Sequence, residues 1–431
     1  MEFSLNPSKS LYLKWFMVIC LFTPGMISTF GLLIEQLLTM ALFVMSAIVI
    51  AMSKVKLPRF ILGFSVLYLT IFYLLYSTSL LRSADIFISN DIVEIIKPFY
   101  FFSFFLLPFS FKLDDCELES IVKFFIACCS ILVIWAIIEA WTHLGYVFSK
   151  TFYKADRSVL INKAVGPFII TYVFASFLVM PFFYFFISAL TKSSKTHYVM
   201  SLFCFFAIVS TQSKTVIVSL IFTLCLFLLL YSIYSHTKGK KSLYLIFSII
   251  IVTLVVSIGF LMSIFESKLS YIYHGLGIVI QGLIDGGFER AINATPSVSL
   301  RYEQLMYAIE HQDAIPLIGV AIGKGVLMPE SIYAFYLFRT GLVGLILHFF
   351  LVLVLMYLSY KNSKYYASNN KVLYAFFMSL HFYALSLPLS YFSSALNDQT
   401  RTGFFFYMFI GLSLMVYLQN QKLVGKKNAL N

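Results

Sequence analysis

Long apolar runs, repeated from one end of the chain to the other, constrain this sequence more than any other feature. Stretches of about 20 apolar residues, the length that a bilayer's hydrocarbon core asks of a helix, recur throughout. They fall at 12–30, 36–53, 60–81, 92–111, 121–141, 166–190, 198–213, 215–235, 243–264, 332–358, 372–392 and 403–419. Apolar residues are 60% of the chain and charged ones 12%, too few to coat a water-facing surface. The runs do not alternate as barrel strands do. The expected fold is an all-α polytopic integral membrane protein of about twelve transmembrane helices, one transmembrane domain over residues 1–431.

The cations orient it. Net charge is +12, and with the N-terminus inside, Lys9, Lys14, Lys54, Lys56, Arg59, Lys112, Lys123, Lys192 and Lys195 fall in inner segments. So do Lys238, Lys240, Lys241, Lys361, Lys364, Lys371, Lys422, Lys426 and Lys427. Short Lys-rich inner loops are what sets orientation, so both termini are expected in the cytoplasm and nucleic acid is not an expected partner. The third inner loop is the exception, with Asp114, Asp115, Glu117 and Glu119; acids weigh little in the rule. No small-residue cleavage site follows Met1–Ser10, so the first span is expected to be retained. No cysteine lies in an outer loop, which predicts neither disulfides nor a cysteine-ligated metal.

Two outer segments exceed what a connection needs. Residues 142–165 carry Lys150, Lys154, Asp156, Arg157 and Lys163 among aromatics, a basic loop on the side where cations are disfavoured. Residues 266–331 form a second loop of about 65 residues, far beyond the 12–15 of an ordinary connector, and such loops tend to be functional. Within it, residues 299–311 read as an amphipathic helix with Leu300, Tyr302, Leu305, Met306 and Ile309 on its apolar face, expected at the outer interface. Residues 316–325 follow, with Gly319, Gly323, Lys324 and Gly325. Those glycines suit a flexible connector, or a backbone that approaches a ligand closely.

Cations at headgroup depth on the outer side suit an anionic head on a long apolar tail. Arg157, Lys214, Arg301 and Arg339 are the candidates to neutralise a diphosphate, Arg by bidentate contact and Lys as a point charge. Binding of bulk headgroups, or snorkelling, accounts equally well for any one of them. Lys214 is the most unusual: residues 210–215 (STQSKT) must form a tight outer hairpin, and a hairpin needs no lysine. Glu330, at the outer mouth of the tenth span, is either a general base or an acid favouring a helix start.

These elements, in this order, resemble the O-antigen polymerase and ligase superfamily, and its O-antigen polymerase family in particular. They are the Ser213-Lys214 hairpin, a loop helix opening through Val298 into Arg301, Pro316-Leu317-x-Gly319, the Glu330-Ser331 pair, Tyr333, and Gly341-Leu342-Val343-Gly344. The resemblance implies a metal-independent, cofactor-free glycosyltransferase of the bacterial inner membrane, acting on the periplasmic side. Its substrates would be undecaprenyl-diphosphate-linked oligosaccharide repeat units, joined into a polymer. It implies Arg301, Lys214 and Glu330 as catalytic residues, with Arg157, Arg339, Lys163, Lys324 and Tyr333 binding substrate. A chain-length regulator and a flippase of the same pathway are the implied partners besides the lipid bilayer. This sequence departs from the family in having Lys214 for the usual Arg, no Trp after Arg301, and Glu330 at the ligase His position, which favours polymerase over ligase.

Glu35, Glu94, Lys97, Glu139, His348 and His381 lie within or at the ends of spans, where ionisable residues are functional candidates. Glu94 and Lys97 are spaced to pair on one helix face, and the histidines to bond between helices. The rival reading is a lipid-linked oligosaccharide flippase or other transporter, which is expected to show internal repeats and short outer loops.

Overall fold

The computed structural model describes residues 9–24, 34–53, 57–82, 92–111, 113–154, 161–168, 170–234, 296–310, 317–320 and 329–430, with Tyr271, Gly277, Ile278, Gln281 and Ile284. Of these, 88% are helical and none is in a strand. The helices are α1 (Lys9–Phe22), α2 (Ile34–Met52), α3 (Arg59–Arg82), α4 (Ile92–Leu106), α5 (Asp115–Trp141), α6 (His143–Ser149) and α7 (Thr171–Lys192). They continue with α8 (Lys195–Ser210), α9 (Lys214–Tyr234), α10 (Pro296–Glu310), α11 (Ile332–Tyr366), α12 (Lys371–Ser390) and α13 (Thr400–Leu430). Six of them, α3, α5, α7, α11, α12 and α13, are long and apolar enough to cross a membrane. Helices α1, α2, α8 and α9 carry shorter apolar segments. The chain is thus a helical membrane protein, and the expected ninth span, 243–264, lies outside the described residues.

The acidic segment expected as an inner loop turns out to be helix. Asp114 caps α5, its carboxylate accepting from the Glu117 amide at 2.7 Å while the Glu117 carboxylate accepts from the Asp114 amide. Asp115 and Glu117 occupy the first turn, where negative charge favours the dipole. The span therefore starts six residues before the apolar run at 121 does.

Helix α7 is the central pillar, with 94% of its apolar window enclosed by protein. Helices α5, α8, α9 and α12 surround it, and α11 and α13 close the far side with α3 and α4. Lipid tails are as apolar as the core, so close packing and interhelical hydrogen bonds hold such a bundle together. Phe125, Phe177, Phe405 and Phe409 interlock between α5, α7 and α13. His348 lies 3.1 Å from the Tyr391 hydroxyl, and His381 Nδ1 donates to the Met356 carbonyl at 2.9 Å, so both histidines bond between elements as their positions suggested.

Long-range bonds fix which helix ends lie together. Arg401, opening α13, donates to the Cys20, Leu21 and Thr23 carbonyls at the end of α1. Trp141, ending α5, donates to Ser210, ending α8. At the other end, Tyr366 donates to Asp115 and Asn370 to Glu119.

Candidate functional site

The first half of the site is a hairpin with a short segment nailed to it. Helix α8 stops at Ser210 and α9 starts at Lys214, with Gln212 in the left-handed region at φ 58°. The Ala164 amide donates to the Ser210 carbonyl at 3.0 Å, and the Gln212 side-chain amide to the Asn162 carbonyl at 3.0 Å. From below, buried Glu139 accepts the Val165 and Gly166 amides at 3.1 and 2.8 Å. Glu139 thus has a structural duty: it pins the strand of backbone that presents Lys163.

Lys163 and Lys214 are thereby held side by side. Their ammonium groups lie 3.7 and 4.3 Å from the centre of the Tyr271 ring. Lys214 is also the first residue of α9, where the helix dipole opposes a cation. Burial, and then the Lys214 charge beside it, hold the Lys163 ammonium below its ordinary value. Two like charges at a helix N-terminus are electrostatically uphill, and an anion between them removes that repulsion.

The second half is carried by α10. On its apolar face Leu300, Tyr302 and Ile309 are exposed and Leu305 and Met306 half-buried, while Gln304 and Ala308 are buried and Arg301 is partly buried. Ala308 packs with Ala334 and Phe338 of α11, with Leu305 and Tyr307 beside them. Arg301 and Gln304 therefore face the bundle together with Leu305 and Ala308, while Glu303 and Glu310 are exposed. Arg301 Nη2 reaches Glu330 at 3.0 Å and Nη1 the Ser297 carbonyl at 2.9 Å, while Nε has no hydrogen-bond partner among the described residues. The guanidinium sits 5.8 Å from the Tyr172 ring centre. Gln304 accepts the Glu330 amide at 3.0 Å, and the Ala395 amide donates to the Glu330 carbonyl at 2.5 Å, so Glu330 is fixed on three sides. The following residue, Ser331, caps α11 by accepting from the Ala334 amide. Lys163 and Tyr172 belong to one short stretch of chain, which touches both halves.

The Gly-rich motifs pack against each other. Helix α11 is broken at Gly341, at φ 65° and ψ −165°, a conformation open essentially to glycine. A side chain at Gly341 would strike the backbone of Leu317 and Ile318, and one at Gly319 the backbone of Arg339 and Thr340. The break leaves carbonyls without helical partners. Val320 donates to the Phe338 carbonyl at 2.7 Å and Ser79 to that of Arg339 at 2.6 Å. The close approach for which Gly319 was a candidate is to the chain's own α11.

Arg339 points elsewhere. It is buried and pairs with Glu94 at 2.6 Å; Lys97 also reaches Glu94 at 2.8 Å, and Asp398 at 2.5 Å. Sequence spacing foresaw the Glu94–Lys97 contact alone. The four charges balance, which is the condition for burying them. Tyr333 donates to the Pro388 carbonyl at 2.8 Å and packs on Phe392, a half-buried bridge from α11 to α12. Arg157 and Lys324 lie outside the described residues. Tyr172, Tyr271, Gln304, Asp398 and the clamping role of Glu139 were missed, and only Glu139 carried a sequence signal, as an acid inside a span.

No protein-family model matches this chain, and no curated protein sequence matches it. The fold defines a helical membrane protein, and its site consists of two cationic centres at one end of the bundle.

Proposed function

We propose that this chain is a membrane glycosyltransferase of the O-antigen polymerase kind, lengthening a surface polysaccharide from lipid-diphosphate-linked repeat units. The observation that carries this reading is the pairing of Lys163 with Lys214 at the start of α9, at the same bundle end as the Arg301–Glu330 pair. A diphosphate is an anion that two such cations would hold, and preorganised cations stabilise it as it departs. In the reaction, a sugar hydroxyl of one lipid-linked unit attacks the anomeric carbon of another. A new C–O bond forms, the bond to the lipid diphosphate breaks, and the bond electrons leave with the diphosphate. The hydroxyl proton goes to Glu330, of which only Oε2 holds Arg301; its protonation weakens the pair and frees Arg301 toward the leaving group. On this reading the site faces the periplasm, and the lysine-rich ends of α5, α7 and α12 face the cytoplasm of a bacterial inner membrane.

The test supplies purified protein with lipid-diphosphate repeat units and looks for a ladder of longer products. Intact protein that gives no ladder overturns the reading, and so does a normal ladder from both Arg301→Ala and Glu330→Gln. The broken helix α11 and the buried Glu94, Lys97, Arg339 and Asp398 favour a second reading, transport of a lipid-linked oligosaccharide, since discontinuous helices and intramembrane charges recur in carriers. Movement of labelled substrate across proteoliposomes without chain growth would select it. Transfer of finished chains to a lipid core would select a ligase.

A further inference from the structure

The bundle end remote from that site carries a corner of its own. Helix α7 ends at Lys192, Ser193 turns the chain at φ 51°, and α8 begins at Lys195. Lys192 lies within electrostatic range of Lys123 on α5 and Lys371 at the start of α12, as well as of Glu119. The Lys371 ammonium lies 3.5 Å from the Thr191 carbonyl, next door to Lys192. Three helices thus deliver lysines to one place.

Their neutralisation is incomplete. Glu119 spends one carboxylate oxygen on Lys123 at 2.6 Å and the other on the Asn370 amide at 2.6 Å. Nearby acids are committed as well, Asp115 to the Tyr366 hydroxyl and Asp114 to the α5 cap. Neither Lys192 nor Lys371 makes an ion pair among the described residues. Ser194, which caps α8, makes no side-chain bond to the amides of its first turn. Those amides add partial positive charge beside Lys192. Lys123, Lys192 and Lys371 are all exposed, at the ends of helices that cross or line the bilayer.

We propose that Lys192, Lys371 and the open N-terminus of α8 form a binding site for the phosphate of an anionic phospholipid headgroup, with Lys123 and Lys195 at its margin. A phosphate offers several acceptor oxygens to two ammonium groups and the amides together, and basic corners between transmembrane helices are suited to such heads. The acyl chains would lie along the outer faces of α5 and α8, where Ile131, Ile134, Leu202 and Phe203 are uncovered. This site is independent of the proposed reaction and stands or falls without it.

Native mass spectrometry of the full chain, released from micelles doped with cardiolipin, phosphatidylglycerol or phosphatidylcholine, tests it. The expected result is retention of the two anionic lipids over phosphatidylcholine. Retention should fall at least roughly tenfold in Lys192→Gln/Lys371→Gln, each lysine near a surface being worth about a factor of five. Lys361→Gln, at the same bundle end but stacked on Tyr357, should leave retention unchanged. Lys192→Arg/Lys371→Arg should restore it and guards against misfolding as the cause. Equal retention by the double Gln variant overturns the proposal. So does inorganic phosphate that binds wild-type protein as well as the lipids do, because the site would then be one for a soluble anion.

Discussion

Arg301 Nη2 lies 3.0 Å from Glu330 Oε2, joining the loop helix α10 to the mouth of α11 across 29 residues of sequence. The two residues that the reaction would use in opposite senses, one as cation and one as base, thus begin as partners.

Replacing Glu330 by Gln removes both the base and the counter-charge. Product formation should fall by about 10²–10⁴-fold, the usual contribution of a positioned base. Arg301→Lys keeps the charge and loses the planar fork, so it should fall less than Arg301→Ala does. Ladder intensity per unit time on the three variants checks this. Full activity in Glu330→Gln would remove the residue from the mechanism.

Anion binding at Lys163 and Lys214 should depend on pH with a definite sign. The Lys163 ammonium is held below its ordinary value, and a bound phosphate raises it again, so binding takes up protons. Affinity for pyrophosphate should weaken as pH rises through the lowered value and strengthen below it. Stability of the free protein runs the other way, because a depressed lysine costs stability as pH falls through its folded-state value. Calorimetry in two buffers of different ionisation heat reads the proton uptake directly; release instead of uptake would contradict the arrangement.

The buried quartet predicts an asymmetry in stability. Glu94→Gln leaves Arg339 and Lys97 with only Asp398 and should cost about 3–5 kcal/mol, as breaking a buried pair does. Glu94→Gln with Arg339→Gln removes one charge of each sign and should cost less than the sum of the two single changes. Thermal melting of the purified protein in detergent tests it, and additive costs would show that the charges do not act together.

Gly341→Ala should be among the most damaging small substitutions in the chain. It puts a side chain at φ 65° and against the Leu317 backbone, with backbone strain alone on the order of 1–3 kcal/mol. Gly63→Ala, where nothing lies within 4 Å, is the matched control and should melt near wild type.

Removal of the Glu139 carboxylate should loosen Lys163 without touching it. In Glu139→Ala the Val165 and Gly166 amides lose their acceptor, so their hydrogen exchange should quicken at least about tenfold, one hydrogen bond to a charged group being worth about 1.5–3 kcal/mol. Unchanged exchange would mean that the segment is held by the Ser210 hairpin alone.

What the sequence made legible followed from local pattern. Apolar run length located most of the described helices, six of them long and apolar enough to cross a membrane, and the STQSKT break located the hairpin, because each is dictated by neighbours in the chain. Helix α5 began earlier than its hydropathy because a capping box lets acids be helical. Helix α10 was legible as an amphipathic helix, but that Arg301 and Gln304 meet Glu330 was not, because packing sets that contact. Arg339 was read as a ligand cation because its partner Glu94 stands 245 positions away, and no spacing rule reaches that far. Asp398 and Tyr172 had no signal at all; their roles arise from packing.

The break at Gly341 has a mechanical consequence. The stub of α11 before it is tied sideways, its Phe338 carbonyl to Val320 and its Arg339 carbonyl to Ser79. The direction of that stub, and with it the position of Glu330 at its start, is therefore set by its neighbours and need not follow the axis of the rest of α11.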